Sequence, residues 1–350
     1  METMQDLNSN TLIGNTDKRG TAWHYRADLQ GAEPNHYAGA VPVADVARRL
    51  FNWEAASRRM AMEVPADLDT MTHLDEHGVP MRWVLQDDLQ GIARGDNDHR
   101  MGVFKAGYEM HQYQPWLLDQ VANLLDDDLG ISSAGLLRQG AIAWVEVSVP
   151  DTITTPEGVE FRPNLLATTS FDGSIATTYK RTVTDVVCDN TRALALAEQG
   201  QTYRVKHSRY STMRIADARD ALAMVHTAAD DFAAQVAQLC AVAVAPRQWT
   251  KFLDLYVPTT DARGQALQGR QLSGAERKRG NLQLLWSSDA RVAPWAGTAQ
   301  GVVQAVNTYE HHVGNVRGQR AERNMLRTVT GEWDGIDRGA LAVLDRVLAN

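Results

Sequence analysis

Two cysteines, Cys188 and Cys240, are all that the 350 residues contain. A disulfide framework is excluded, and so widely spaced a pair suits a reducing compartment. No run of 18 apolar residues occurs, so no membrane span is expected. The first ten residues are polar and mixed in charge, without the basic start and apolar stretch of a signal peptide. These absences predict a cytoplasmic protein. The common fingerprints of chemistry are missing as well. There is no Gly-x-x-x-x-Gly-Lys-Ser/Thr, Gly-x-Gly-x-x-Gly, Gly-x-Ser-x-Gly or His-Glu-x-x-His, and no paired Cys-x-x-Cys. No cofactor, metal or catalytic residue is therefore expected, and an enzyme is the less favoured class. No internal repeat or low-complexity tract appears.

What is present is ordinary globular composition, 44% hydrophobic and 22% charged. The net charge of −8 is unevenly spread. Residues 1–150 hold 12 Lys/Arg against 22 Asp/Glu, whereas residues 161–215 hold 8 against 4 and residues 262–327 hold 10 against 4. An acidic front with two later basic segments is compatible with a nucleic-acid partner.

Periodicity predicts an α+β fold. Residues 1–40 are expected to form an irregular N-terminal arm, docked by Trp23, His24 and Tyr25. Residues 41–246 are expected to form a β-rich core domain, and residues 247–350 a basic loop followed by helices. Helical spacing predicts helices over 42–62 and 115–127. Alternation predicts strands over 81–89 and 100–107, with a turn region holding Gly91, Gly95, Asp96, Asn97 and Asp98. Two strands around Gly140 and a hairpin turning at Phe171-Asp172-Gly173-Ser174 follow, so that 80–187 forms a run of antiparallel strands, a curved sheet. A capped helix is expected to open at Asp189-Asn190-Thr191, and a strand to lie over 203–207. A long Ala-rich helix over 214–244 ends before Pro246. Residues 258–281 are expected to be a mobile loop, with helices near 298–313 and 337–349.

Several clusters bear on function. Asp126, Asp127 and Asp128 form a solvated turn on the simpler view, with a divalent-metal site as the alternative. His311 and His312 are neighbours about 100° apart on a helix, so surface or subunit contact is expected rather than one metal. Cys188 lies beside an expected helix start, and buried packing is the simpler account. Trp286 and Trp295 either stack bases or belong to the core. The densest basic cluster is Lys180 and Arg181, then Asn190, Thr191 and Arg192, then Arg204, Lys206 and Arg209. On a strand, Arg204 and Lys206 share one face about 7 Å apart, a fit to successive phosphates. Val205 and His207 take the other face. A helix opening at Asn190-Thr191 would add an anion site, and Arg277, Lys278 and Arg279 on a mobile loop would close over the track. The simpler alternative is a solvated edge strand and a solubilising loop.

The stretches at 134–147, 168–197, 203–222 and 297–312 resemble the phage- and plasmid-like proteins that carry domain of unknown function 932. The Cys188-x-Asn190-Thr191 phrase followed by Lys206-His207-Ser208 is the most specific part, although the family usually has Arg-His-Thr in the second phrase. The resemblance implies a phage, prophage or plasmid gene and no activity. A second resemblance, of architecture only, is to the single-strand annealing recombinases of phages. It implies a protein that binds single-stranded DNA, forms a ring or filament of copies, and assists recombination or replication in a host cell. The alternatives are a non-enzymatic host-interaction or assembly protein with a host or phage protein partner, and an enzyme acting on nucleotides or nucleic acid.

Overall fold

Strand alternation sets the centre of the molecule. In a computed structural model, which describes residues 9–15, 35–125, 129–149, 151–185, 190–192, 202–207 and 218–349, two antiparallel sheets are joined by helices. The large sheet contains β1 (Leu12–Asn15), β2 (His36–Tyr37), β7 (Gly130–Leu137), β8 (Ile142–Ser148), β9 (Ile153–Thr154), β10 (Glu160–Ser170), β11 (Thr177–Asp185), β12 (Asn190–Arg192) and β13 (Thr202–Val205). Its order is β12-β11-β10-β8-β7-β1-β2, with β13 also on β11 and β9 on β10. Among the described strands only the β1–β2 pair is parallel. Part of the expected N-terminal arm is thus in the sheet, where Ile13 pairs with Ala134 of β7.

The register sorts side chains between two faces. Val145, Ala167 and Tyr179 form one row across β8, β10 and β11, and Glu146, Leu166 and Lys180 form the next. The first row meets a core with Leu50, Leu117, Val121 and Val225. These come from α1 (Val43–Arg49) and the residue that caps it, from a π-helical turn (Gln114–Leu118) that continues as α2 (Asp119–Ala122), and from α3 (Ala218–Ala241). Ala228 and Ala229 let α3 approach the sheet closely, so that Phe232 meets Phe161 at 4.7 Å between ring centroids. Burying Phe232 stabilises the fold by about 2–3 kcal/mol. The other face is covered by Met325 and Val329 of α7 (Arg320–Thr330), against Trp144 and Leu166.

The remaining helices are α4 (Pro246–Tyr256), α5 (Gly269–Ser288), α6 (Ala299–Thr308) and α8 (Glu332–Leu348). They share a second core of Trp249, Phe252, Leu285, Val302, Val306 and Leu344. Thr298 caps α6 by accepting the Gly301 amide at 3.2 Å, and α6 ends in a second π-helical turn, Tyr309–Val313. Among the described residues no helix is long and apolar enough to cross a membrane.

The second sheet is a ribbon: β3 (Ala55–Pro65), β4 (His73–Leu74), β5 (Pro80–Arg94) and β6 (Arg100–Lys105). Its base enters the body at Ile92 and Arg94, both 0% exposed. The Arg94 guanidinium lies 4.0 Å above the Trp53 ring and donates to Asp96 at 2.9 and 2.7 Å. Gly140, at φ +90°, passes so close that a Cβ would stand 2.8 Å from Arg94 and Trp53.

Several expected elements change. The helix over 42–62 stops at Arg49, and β3 takes 55–65, because pairing along β5 outweighs local helical spacing. The helix over 115–127 ends at Ala122, and Asp126–Asp128 lie outside the described residues. Gly91 belongs to β5 rather than to the turn. The loop expected over 258–281 is helical from Gly269, because Leu282, Leu285 and Trp286 seat α5 in the core. Asn190–Arg192 are a strand on β11, not a helix start. The antiparallel run from β7 to β11, the turn at Asp172-Gly173 and the long helix agree with expectation.

Candidate nucleic-acid interface

The edge of β11 is lined by two short strands. Thr191 pairs with Thr184 and Arg192 with Val183; further along, Thr202 pairs with Lys180 and Arg204 with Thr178. Asn190, Thr191, Arg192, Arg204 and Lys206 therefore follow one another along a single sheet edge. Val205 is 8% exposed, whereas Arg204 and Lys206 face solvent. The alternation expected for this strand holds.

Inward from the edge, His207 enters a column of five rings. Phe104 and Tyr108 stack at 4.0 Å, Tyr108 and His207 at 5.0 Å, His207 and His111 at 4.1 Å, and His111 and Trp116 at 3.6 Å. The column is laced by hydroxyls. Thr177 Oγ1 lies 2.6 Å from His111 Nδ1, 2.8 Å from Thr169 Oγ1 and 3.3 Å from His207 Nε2, and Thr169 Oγ1 lies 3.0 Å from His207 Nε2. Burial lowers the His111 pKa to about 3, with the His207 ring adding to the effect. Burial likewise lowers His207 to about 4. Both are neutral at pH 7, so the column props the edge strand without contributing charge. Within the column the Tyr108 hydroxyl donates to the Ser170 carbonyl at 3.4 Å, and burial raises its pKa.

Four of the expected cations tie elements of the fold together. Lys180 donates to the Thr328 carbonyl at the end of α7 at 2.6 Å, and burial lowers its pKa while Asp334 opposes the shift. Arg181, on the opposite face as strand alternation requires, is 6% exposed and lies 3.1 Å from Asp231 of α3. Lys278 lies 2.8 Å from Glu310 and 5.0 Å from each of the Tyr256 and Tyr309 rings. Arg279 lies 2.6 Å from Asp254 and donates to the Val257 carbonyl at 3.2 Å. Of the 277–279 run, only Arg277 is fully exposed. Arg209 lies outside the described residues, as do Cys188 and the expected helix over 193–198.

Glu146, across Leu166 from Lys180, is a half-buried residue that sequence reasoning passed over as a site. Burial raises its pKa, against hydrogen bonds from Ser133, Ser132 and Thr182. The family model for Domain of unknown function (DUF932) matches residues 100–330, which run from β6 through α7. The chain belongs to this family. The DUF932 stretch holds the edge strands, the whole ring column and Glu146, while β3–β5 precede it. No curated protein and no solved structure matches the chain.

Trp286 and Trp295 are core residues, not stacking platforms. Trp286 stacks on Trp249 at 4.3 Å, and Trp295 donates to the Glu157 carbonyl at 2.9 Å. His311 is 2% exposed and stacks on Trp333 at 3.7 Å, which corrects its expected surface position. Among the described residues, no group of three or more His, Cys, Asp or Glu is placed to hold a metal ion. Of the column, only His207 was visible in the sequence, through its alternation with Lys206. Trp116 lies in the helix expected over 115–127 and His111 just before it, but nothing local to either marks the distant ring it stacks on.

Proposed function

We propose that this DUF932 protein binds single-stranded DNA along the β12–β13 edge, holds it by its phosphates, and assists strand annealing in recombination or replication as an assembly of copies. The observation that carries this reading is the outward pair Arg204, on β13, and Lys206, just past its end, with Val205 and His207 turned inward. Two cations about 7 Å apart suit neighbouring phosphates. The resemblance to phage- and plasmid-like proteins supports a mobile-element origin and a place in the host cytoplasm.

Fluorescence anisotropy with labelled single- and double-stranded oligonucleotides across a salt series tests it. Single strands should bind more tightly than duplexes, independently of sequence, and log K should fall with log salt by at least about 1.4 for two phosphate contacts. No binding to any single strand at low salt would overturn the proposal.

A further inference from the structure

The outer half of the β3–β5 ribbon has both faces exposed. Beyond a bulge between Arg59 and Met60, Ala61 pairs with Leu85, Met62 with Val84 and Glu63 with Trp83. Ala61, Glu63, Trp83 and Leu85 share one face and Met62 and Val84 the other. Trp83 is 55% exposed, Met62 54% and Leu85 47%, with Leu68 at 78% nearer the tip. His73 stacks on Trp83 at 5.4 Å and bonds Glu63, which presents the indole as a fixed platform. Met60 to Pro65 alone reach about 20 Å. The β3–β5 pair, to which β4 adds only His73 and Leu74, is marginal by itself, and exposed apolar surface on this scale marks an interaction site.

The arm carries charge of one sign. Residues 63–88 contain seven acidic side chains and one basic. The complementary pattern lies on α4 and α5, which carry six basic and two acidic side chains, with Lys278 and Arg279 paired inside the fold. Arg247, Lys251 and Leu255 follow at four-residue steps along α4, and Arg270, Arg277 and Leu284 at seven-residue steps along α5, each set on one helix face. All six are exposed, Leu255 by 43% and Leu284 by 63%. The two helices are fixed to each other by the Trp249–Trp286 stack, a bond of 2.8 Å from Trp249 to Gln283, and the Arg279–Asp254 pair. Cations leading to an exposed leucine match an acidic arm with exposed apolar residues.

We infer that the arm of one copy docks on the outer face of α5 of a second copy, along Arg270, Arg277 and Leu284. Two different patches make a heterologous contact, which repeats into a ring or a filament. The inference rests on the arm and the helices alone and does not require DNA binding.

Sedimentation velocity on the full chain, without nucleic acid, tests it across concentration and salt. The wild type should sediment above its 38.7 kDa monomer at low salt and dissociate as salt rises. Two charge reversals, Asp67→Lys/Asp69→Lys on the arm and Arg270→Glu/Arg277→Glu on α5, should each give monomers. A mixture of the two variants should assemble again, because each arm then meets a face of opposite charge. Trp83→Ser/Leu85→Ser, at exposed positions, should weaken assembly about tenfold or more. Circular dichroism on each variant checks that it is folded. A wild type monomeric at every concentration would overturn the inference. So would assembly that survives reversal of Arg270 and Arg277, which would place the arm elsewhere, or a mixture that stays monomeric.

Discussion

The rings of His111 and His207 stack at 4.1 Å, and the single hydroxyl of Thr177 reaches a nitrogen of each. Two imidazoles this close, in a site that excludes water, cannot both be charged without repulsion and loss of solvation. The pair therefore links the exposed basic edge to the interior as a neutral prop.

Acid sensitivity should follow. Both pKa values lie below the ordinary histidine value of 6.5, at about 3 and about 4, so between pH 6.5 and about 4 the unfolded chain binds protons that the folded chain does not. Stability then rises with pH through that window, is complete above about 6.5, and is lost as pH falls. The loss should be on the order of a few kcal/mol. Urea titrations from pH 7 to 4 measure it. His111→Phe, which keeps a ring in the stack, should flatten the dependence, and an unchanged slope would contradict this origin.

Thr177→Val removes the shared hydroxyl and keeps the shape. It leaves the buried His111 Nδ1 short of a partner, while Thr169 still reaches His207, at a cost of about 1–3 kcal/mol. Thr177→Ser should restore most of that. The denaturation midpoints of the two variants check the contrast.

Arg181 and Lys180 should behave as structural residues. Arg181→Ala should lower stability by about 1–2 kcal/mol, reduced because Asp231, 38% exposed, regains water. Its salt slope for a single strand should match that of the wild type. A slope flattened by Arg181→Ala alone would return this residue to the phosphate track.

Within the basic run on α5, neighbours should differ. Lys278→Ala strips the partly buried Glu310 of one of its two cations, the other being Arg327 at 3.4 Å, and should cost about 1–2 kcal/mol. Arg277→Ala, at an exposed position, should stay within about 0.5 kcal/mol. Thermal melts of the two single variants decide this.

Much of the sheet was legible because its signals are local. Val145, Val147 and Glu146 alternate, and Asp172 turns the chain by accepting the Ser174 amide at 2.8 Å. The Arg204 to His207 alternation was legible for the same reason. What failed depended on distant partners. Residues 55–65 have helical spacing but are held as a strand by β5. Residues 258–281 were expected as a mobile loop, yet Leu282, Leu285 and Trp286 decide for α5. The basic residues gave the least local guidance. A sequence displays Lys180, Arg181, Lys278 and Arg279 as charges, while Thr328, Asp231, Glu310 and Asp254, their partners, lie 25 to 148 residues away.

The central claim is that Arg204 and Lys206 hold the phosphates of a single strand. The most direct measurement is the salt dependence of single-strand binding by Arg204→Ala/Lys206→Ala beside the wild type, both shown to be folded. Losing two phosphate contacts should weaken binding equally for all sequences and flatten the slope of log K against log salt by about 1.4. His207→Ala, by contrast, should lower stability by about 1 kcal/mol and leave that slope nearly unchanged. A double variant that folds normally and keeps both the wild-type affinity and the wild-type slope would contradict the account.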